Sequence, residues 1–259
     1  MLYGNINNVR GAKDSKIYVG TSGYSYQHWR CRFYPENLPS SKWLQFYSQH
    51  FKTVELNFTF YRLPLQKNFK DWYEKTPKEF KFVIKGSRFI THIKRLNNCR
   101  RPLREFFNRA KSLKEKLTCC LWQLPPSFKC DLERLDKFTK ILKTHYSFCR
   151  HTFEFREKSW FNPQTYGILS KNNINLCIAD SPDFKTPTES TSSFIYLRFH
   201  GSETTYGSRY SDKELRTWSR KAKNWLKDKK LLFAFFNNDA QAFAVDNALK
   251  FKELLNAKL

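Results

Sequence analysis

The residues of this chain that could do chemistry alternate with apolar residues in short runs. In residues 53–60 an apolar side chain falls at every second position, and Glu55 and Asn57 stand between them. Alternation with a period of two is typical of a β-strand with one apolar and one polar face. The same pattern recurs along the chain, with polar residues at or near the end of each run. They are Glu55, Asn57, Lys85, Gln123, Glu154, Arg156, Asp180, Arg198, His200, Asn237, Asn238 and Asp239.

Two carboxylates in this set could form a catalytic pair. Glu55 and Glu154 would act as general acid and general base if their environments separate their pKa values. An equally open alternative is that each carboxylate forms an ion pair with Lys85, Arg156 or Arg198. The sequence does not decide between catalysis and an internal network of ion pairs, but the clustering of mixed charges at the strand ends favours a functional site.

Histidine and tryptophan side chains extend the candidate site. His200 could shuttle a proton or contact an anion, and a structural hydrogen bond is equally compatible with its position. His92 follows the third predicted strand and is a weaker candidate of the same kind. Trp122 and Trp160 could stack on a sugar or a base, with buried packing as the more frequent role of such residues. Of the two, we include Trp160 among the predicted substrate contacts.

The basic residues indicate what such a site would bind. Guanidinium groups match the oxygens of phosphate and carboxylate, so the sequence favours an anionic or phosphorylated substrate. We predict catalytic roles for Glu55, Glu154 and His200, and substrate contacts for the other residues named above. No tight metal-ligand spacing such as H-E-x-x-H occurs, so no metal site is predicted, although ligands from separate strands stay possible. No cofactor is identified.

Eight predicted strands alternate with about seven helices. The strands are residues 17–23, 53–60, 81–87, 118–125, 150–156, 175–181, 194–201 and 231–239. The helices are residues 40–51, 65–76, 102–117, 132–143, 163–171, 211–227 and 246–259. Residues 182–193 carry two prolines and many Ser and Thr without helical periodicity, so we expect the sixth βα unit to be degenerate.

This order of elements predicts an α/β fold with a parallel sheet. Eight units in about 250 residues match a single (β/α)8 TIM barrel spanning residues 17–259, with residues 1–16 as a flexible tail. A doubly wound open sheet is the alternative, but its central strands would be apolar on both faces. In a barrel, the polar strand ends converge on one face, where active sites are built.

The chain is strongly basic, with a formal net charge of +24 over 259 residues. A polyanionic partner such as nucleic acid would explain this charge. A lysine-rich composition spread over solvated helix faces also explains it, and is the somewhat favoured interpretation. Lysine and arginine are concentrated in residues 85–116 and 213–230, a density that could follow a phosphate backbone.

Cysteine usage and hydropathy bear on the compartment. The seven cysteines are odd in number and form no C-x-x-C pair, which favours reduced thiols in a cytoplasmic protein. We recognise no signal peptide, and no apolar run approaches the length of a transmembrane helix. We expect a cytoplasmic monomer that does not enter the membrane.

Ten ordered motifs resemble the YecE-like family of domains of unknown function. They include Gly20-Thr-Ser-Gly-Tyr-Ser-Tyr, Thr53-Val-Glu-Leu-Asn, Phe60-Tyr-Arg-Leu-Pro, Gln123-Leu-Pro-Pro, Phe153-Glu-Phe-Arg, Ala179-Asp-Ser-Pro, Arg198-Phe-His-Gly and Phe236-Asn-Asn-Asp. The resemblance implies a TIM barrel and brings no established activity. Two positions depart from the family pattern: Phe58 replaces an expected small polar residue, and Gln241-Ala-Phe stands where a glycine-containing turn is usual.

Two hypotheses of function follow. The first is an enzyme with hydrolase- or lyase-type acid/base chemistry on an anionic or phosphorylated small molecule, bound at the carboxyl ends of the strands. The alternative is a nucleic-acid-binding protein, with or without phosphodiester chemistry, that uses the basic segments and the aromatic residues of 24–33.

Overall fold

The computed structural model describes residues 16–229 and 231–257. The predicted flexible tail, residues 1–16, lies outside the described residues except for Lys16, which already belongs to the first strand. The first element therefore begins one residue earlier than the sequence predicts.

The strands form two parallel sheets. The order in the four-stranded sheet is β1 (Lys16–Thr21), β9 (Leu231–Phe236), β8 (Ile195–Phe199) and β7 (Ile178–Asp180). The order in the five-stranded sheet is β2 (Thr53–Leu56), β3 (Lys81–Lys85), β4 (Leu117–Gln123), β5 (Arg150–Glu154) and β6 (Asn175–Leu176). The predicted sixth strand is thus two segments, one in each sheet, separated by Cys177.

A backbone hydrogen bond connects the two sheets at one pair of edges. Just after β1, the Gly23 amide donates to Glu55 O on β2 at 2.7 Å. At the other edges, Cys177, whose amide donates to Phe153 O at 2.8 Å, is the single residue between β6 and β7. Strand β1 therefore adjoins β2, and one chain segment passes directly from the five-stranded to the four-stranded sheet.

Helices follow most of the strands. They are α1 (Trp43–His50), α2 (Phe58–Tyr61), α3 (Gln66–Glu74), α4 (Arg100–Ala110), α5 (Leu132–His145), α6 (Pro163–Lys171), α7 (Asp212–Asp228) and α8 (Phe243–Asn256). Asp131 caps α5 by accepting a hydrogen bond from the Arg134 amide, and Ser211 caps α7 with Glu214. Across the two described ranges, we find no helix with both the length and the apolar character that a membrane crossing requires.

The predicted strand over residues 53–60 is wrong in its second half. Strand β2 ends at Leu56, and the chain turns into the short helix α2. The Thr59 hydroxyl donates to Leu56 O at 2.9 Å and to Lys85 O at 2.7 Å, which occupies the carbonyls at the ends of β2 and β3. Phe58, predicted to share the face of Val54, is instead 56% exposed.

Residues 181–194, all of which the structure describes, contain no helix, in agreement with the predicted degenerate unit. Hydroxyl groups in this loop bond to the strands instead. Thr186 Oγ1 accepts from the Ala179 amide at 2.7 Å, and Thr191 Oγ1 accepts from the Leu176 amide at 2.8 Å. The loop therefore satisfies backbone donors of the short strands β6 and β7.

The turn before α8 contains two residues in the left-handed region. Gln241 has φ = 54° and Ala242 has φ = 62°, at the place where the family pattern usually has glycine. Residues other than glycine rarely adopt this backbone conformation, because their Cβ approaches the backbone. The turn therefore keeps a geometry that favours glycine, although Gln241 and Ala242 both have side chains.

Alternate residues of the strands belong to two apolar clusters. One parity, which includes Val54, Leu56, Phe153, Ile195 and Leu197, packs with the helices in a large cluster. The other parity forms a second cluster between the two sheets. Its members include Val83, Cys119, Leu121, Ala179, Phe194, Tyr196, Phe233 and Phe235. The polar residues of this second parity, Glu55, Glu154 and Arg198 among them, therefore face the space between the sheets.

Candidate functional site

Arg198 connects the two sheets at the carboxyl ends of their strands. Its Nη2 lies 2.7 Å from Glu55 Oε1, and its Nη1 pairs with Glu154 Oε2. The side chains of all three residues are fully buried. Because Arg198 lies on β8 and both carboxylates lie on the other sheet, this ion triad fixes the position of one sheet against the other.

Glu55 accepts further hydrogen bonds from two hydroxyl groups. Tyr196 donates to Oε2 at 2.5 Å and Ser22 donates to Oε1 at 2.5 Å. Burial, and next the neighbouring carboxylate, raise the pKa of Tyr196 well above its usual value, so the hydroxyl keeps the proton that it donates. Sequence reasoning did not select either residue, although Ser22 lies in the Gly-Thr-Ser-Gly motif and Tyr196 shares the parity of Arg198.

Glu154 is the second centre of these contacts. Arg156 Nε lies 2.8 Å from its Oε1, and His200 Nε2 lies 3.6 Å from the same oxygen. Burial by itself would raise the pKa of Glu154, but the charges of Arg198 and Arg156 hold it well below its ordinary value. Glu154 is therefore an ionised partner of arginine rather than a proton donor at neutral pH. We call the set Ser22, Glu55, Glu154, Arg156, Tyr196, Arg198 and His200 the Arg198 network.

Burial lowers the pKa of His200 to about 4, against the opposing effect of the Glu154 charge, and the charge of Arg198 lowers it further. A lowered pKa favours the neutral ring at physiological pH. Asn237 Nδ2 lies 3.2 Å from His200 Nδ1. Arg198 Nη1, which like an amide nitrogen can only donate, lies 3.4 Å from His200 Nε2, so both ring nitrogens face a donor. The ring also contacts Phe184 and Tyr206, neither of which the sequence pattern indicated.

Lys85, at the end of β3, is the basic side chain that the Arg198 network does not neutralise. It is only 8% exposed, and its amine lies 4.2 Å from the centroid of the Phe60 ring. Both nearby carboxylates are paired with arginine instead. Burial, followed by the charge of Arg198, lowers the pKa of Lys85 to about 7.

Local structure explains the position of Lys85. The next residue is Gly86, where an added Cβ would lie 2.3 Å from the buried ring of Trp122. A single turn of π-helix follows at Phe89–Ile93. Such π-helical turns are frequent at functional sites. This turn carries His92, whose ring packs 5.0 Å from that of Phe60. Burial, and next the charge of Lys85, lower the pKa of His92 to about 4.

A cavity of about 790 Å³ opens at the carboxyl ends of the strands. We call it the strand-end cavity. Four of the predicted substrate contacts line it, namely Asn57, Lys85, Asn237 and Asp239. Its other walls are largely aromatic, formed by Tyr24, Tyr26, Phe58, Tyr61, Trp72 and Tyr206. Only Tyr24 and Tyr26 belong to the aromatic segment that sequence reasoning singled out.

Polar atoms of the cavity wall differ in how far the protein satisfies them. Asn57 Oδ1 is buried and has no hydrogen-bond partner among the described residues. The Asp239 carboxylate lies 3.6 Å from His28 Nε2, and its main-chain oxygen accepts from Trp29 Nε1 at 2.9 Å. Burial raises the pKa of Asp239. Two side chains that line the cavity therefore have polar atoms that no described residue uses: the Asn57 amide oxygen, an acceptor, and the Lys85 amine, a donor when protonated.

Two predicted site residues have their side chains elsewhere. The Asn238 amide donates to Asn247 Oδ1 at 2.9 Å and to Ser208 O at 2.9 Å, which ties α8 to a loop. Trp160 is fully buried in the helix-facing core, where its indole N–H donates to Phe128 O at 2.7 Å. The substrate contact predicted for Trp160 is not what its position favours, because the ring stacks on Phe155.

Two further residues lie at strand ends without a described side-chain bond to the network. Gln123 is buried and is paired in register with Glu154, so both side chains point to the same side of the sheet. Asp180 ends β7, and its main-chain oxygen accepts from the Tyr210 hydroxyl at 3.2 Å. Within residues 16–229 and 231–257 we find no group of three or more His, Cys, Asp or Glu that could hold a metal.

Fold and site together define a parallel α/β protein with a buried ionic network below a cavity at its strand ends. The chain belongs to the family described as "Protein of unknown function DUF72", whose sequence profile matches residues 18–259. The resemblance to YecE-like proteins noted in the sequence is thereby confirmed.

Bacterial relatives support the same membership. The UPF0759 protein YunF of Bacillus subtilis is 28% identical to this chain over an alignment of 278 residues. The alignment covers 93% of this chain and 95% of the relative. The UPF0759 protein YecE of Escherichia coli K12 is 31% identical over 169 residues, 64% of this chain and 59% of that protein.

Solved structures have the same fold. A DUF72 family protein of Thermotoga maritima is 32% identical, with a TM-score of 0.84 over 93% of this chain and all of that chain (100%). A DUF72 family protein of Enterococcus faecalis is 21% identical, with a TM-score of 0.79 over 94% of this chain and 96% of that chain. At 21% identity, the Enterococcus faecalis structure is evidence for the fold only.

Proposed function

We propose that this protein is an enzyme that performs acid/base chemistry, of the hydrolase or lyase type, on an anionic or phosphorylated small molecule in the strand-end cavity. The observation that carries the proposal is Lys85. Its amine lines a cavity of about 790 Å³, is nearly buried and has no carboxylate partner within residues 16–229 and 231–257. An anionic group of a ligand would supply the missing partner.

We also infer that the two sheets close into one eight-stranded barrel, with residues 17–259 as a single domain and the cavity at its mouth. The hydrogen bond from Gly23 to Glu55 supports closure at one pair of edges. The single residue Cys177 between β6 and β7 supports it at the other. The proposal takes the protein to be a cytoplasmic monomer.

Proton transfer in this enzyme is assigned to groups that line the cavity. Glu55, Glu154 and His200 lie beneath it, and the two carboxylates are held by Arg198. In the proposed mechanism they set the electrostatic field around Lys85. An amine with a pKa of about 7 is suited to general acid/base catalysis near neutral pH. Arg156, with 17% of its side chain exposed, is the second cation available to the substrate anion.

A thermal-shift screen tests this function. Phosphorylated and carboxylated metabolites would be added to the wild-type protein, to Lys85→Met and to Lys221→Met, whose lysine is exposed on α7. We expect at least one anion to raise the Tm of the wild type and of Lys221→Met but not of Lys85→Met, since binding stabilises the folded state. The function fails if no anion raises the Tm, or if the shift persists in Lys85→Met.

The alternative, nucleic-acid binding, has one observation in its favour. A second cavity of about 700 Å³ lies between the start of α4 and α5, and we call it the α4–α5 groove. Its basic residues are Arg100, Arg101, Arg134, Lys137 and Lys140. Four of them form ion pairs with carboxylates on or next to their own helix, which reduces the positive charge available to phosphate.

The aromatic segment 24–33 does not strengthen this alternative. Trp29 is fully buried, and Phe33 packs against Phe46 with ring centroids 5.4 Å apart. A mobility-shift assay at two salt concentrations distinguishes the two functions. Binding through the groove would weaken steeply with salt and in Arg100→Ala, whereas absence of binding at low salt would exclude it.

A further inference from the structure

We propose that Lys85 is a nucleophile that forms an imine with the carbonyl group of the substrate. The substrate class is then an anionic aldehyde or ketone, such as a keto acid or a sugar phosphate in its open form. This inference rests on the proposed function, because it uses the same strand-end cavity.

The first argument is the surroundings of the Lys85 amine. It lines the cavity, and among the described residues its only close contact of note is the Phe60 ring at 4.2 Å. Lys116, another buried lysine, is held in a different way. Its amine donates to Thr76 O at 2.7 Å and to Tyr73 O at 2.5 Å. The Lys116 amine therefore donates to fixed oxygen acceptors, whereas the Lys85 amine donates no hydrogen bond to any residue that the structure describes.

The second argument is the balance of charge around Lys85. The charged and titratable groups that face it from neighbouring elements are Arg198, Arg156, Glu154, Glu55 and His92, and Asp239 lines the same cavity. The two arginines neutralise the two glutamates through direct ion pairs. Little net negative charge is left to hold a proton on the amine. Burial lowers the pKa of Lys85 to about 7, so the free base is far more populated at pH 7 than in an ordinary lysine.

The chemical step needs only the amine and the carbonyl compound. The nitrogen lone pair attacks the carbonyl carbon, the C=O π electrons move to oxygen, and a proton passes from nitrogen to oxygen to give a carbinolamine. The hydroxyl then gains a proton and leaves as water as the C–O bond breaks, and the nitrogen lone pair forms the C=N bond. The resulting iminium nitrogen loses its remaining proton, which balances the proton that the hydroxyl gained. Amine plus carbonyl gives imine plus water, so no oxidant or reductant takes part. Burying an unpaired lysine is a recognised way to activate it as a nucleophile.

Reductive trapping tests this proposal on the full chain. The wild-type protein would be incubated at pH 7 with pyruvate, dihydroxyacetone phosphate or the neutral glycolaldehyde, reduced with sodium borohydride, and mapped by peptide mass spectrometry. We expect the adduct at Lys85 to exceed that at exposed Lys221 by about tenfold or more, because ordinary lysines are almost fully protonated at pH 7. Lys85 labelling should follow a midpoint near pH 7, and Lys116 should stay unlabelled.

The outcomes separate this inference from the proposed function. Adducts on exposed lysines without one on Lys85, or Lys85 labelling that rises only with the pH profile of Lys221, overturn the imine. If an anion raises the Tm of the wild type but not of Lys85→Met, and no adduct forms on Lys85, the proposed function is supported and the imine is rejected. Labelling of Lys85 by glycolaldehyde, with no anion effect on Tm, supports the nucleophile and rejects the anionic substrate. Because mapping uses the wild type, misfolding of a variant cannot obscure the result.

Discussion

At the scale of single residues, charges at the strand ends fall into two groups with different roles. Arg198, Glu55 and Glu154 are fully buried and satisfy one another, which is the pattern of a structural ion network. Lys85 is nearly buried, lines the cavity and has no ion-pair partner in the part of the chain that the structure describes. Its burial therefore costs stability, and no ion pair of the amine with a described residue offsets that cost. Functional residues frequently have such unfavourable environments.

Removing Arg198 should be strongly destabilising. Arg198→Met would leave Glu55 and Glu154 buried without their shared counter-ion, and we expect a loss of about 3–5 kcal/mol in the free energy of unfolding. Arg156→Met is the matched control, because Arg156 is partly exposed and bonds to Glu154 and Tyr206. Its loss should be about 1–2 kcal/mol. Urea unfolding measures both, and equal losses in the two variants would contradict the structural role of Arg198.

Replacing Lys85 by methionine should raise the free energy of unfolding, by an amount that depends on pH. Its pKa is about 7 in the folded protein and 10.5 in the unfolded chain. Between these values the unfolded chain binds the extra proton, so wild-type stability rises with pH by about 1.4 kcal/mol per unit. Lys85→Met should therefore be more stable than the wild type at pH 7, and the difference should shrink towards pH 10. Unfolding at pH 7, 8 and 9 tests this, and a difference that does not vary with pH would contradict it.

At the scale of elements, the sequence predicted the strands that carry the site but not all of their ends. Alternation located β3, β5 and β8 within two residues at each end. It failed at residues 57–60 because the turn depends on Thr59 bonding to the carbonyl of Lys85, a residue on another strand. A periodic pattern contains no information on such a contact.

Gly86 should be needed to position the end of β3. An added Cβ would lie 2.3 Å from the Trp122 ring, so Gly86→Ala should cost about 1–3 kcal/mol through overpacking and reduce the trapping of Lys85. Gly167→Ala in α6 is the matched control, because its Cβ would meet nothing within 4 Å and a helical alanine is favourable. Denaturant unfolding of both variants is the measurement. A Gly86→Ala protein as stable as Gly167→Ala would contradict this account of β3.

At the scale of the whole molecule, strand parity accounts for the shared orientation of three charged residues. Glu55, Glu154 and Arg198 lie between apolar residues that pack against the helices, so they had to point to the other side of the strands. The sequence could not assign their roles. A glutamate is either paired with arginine or free to transfer a proton, depending on distances between strands that are far apart in the chain. The lowered pKa of Lys85 depends on such distances as well.

The central claim is that the Lys85 amine is poised near neutral pH to receive an anion in the strand-end cavity. NMR titration of lysine Cε and Nζ signals in the isotope-labelled protein, with and without inorganic phosphate, measures this directly. We predict one lysine that titrates near pH 7, that is absent from Lys85→Met, and whose pKa rises when phosphate binds, since a nearby anion favours the ammonium form. A protein in which every lysine titrates above about pH 10, or in which phosphate leaves the Lys85 titration unchanged, would contradict the account.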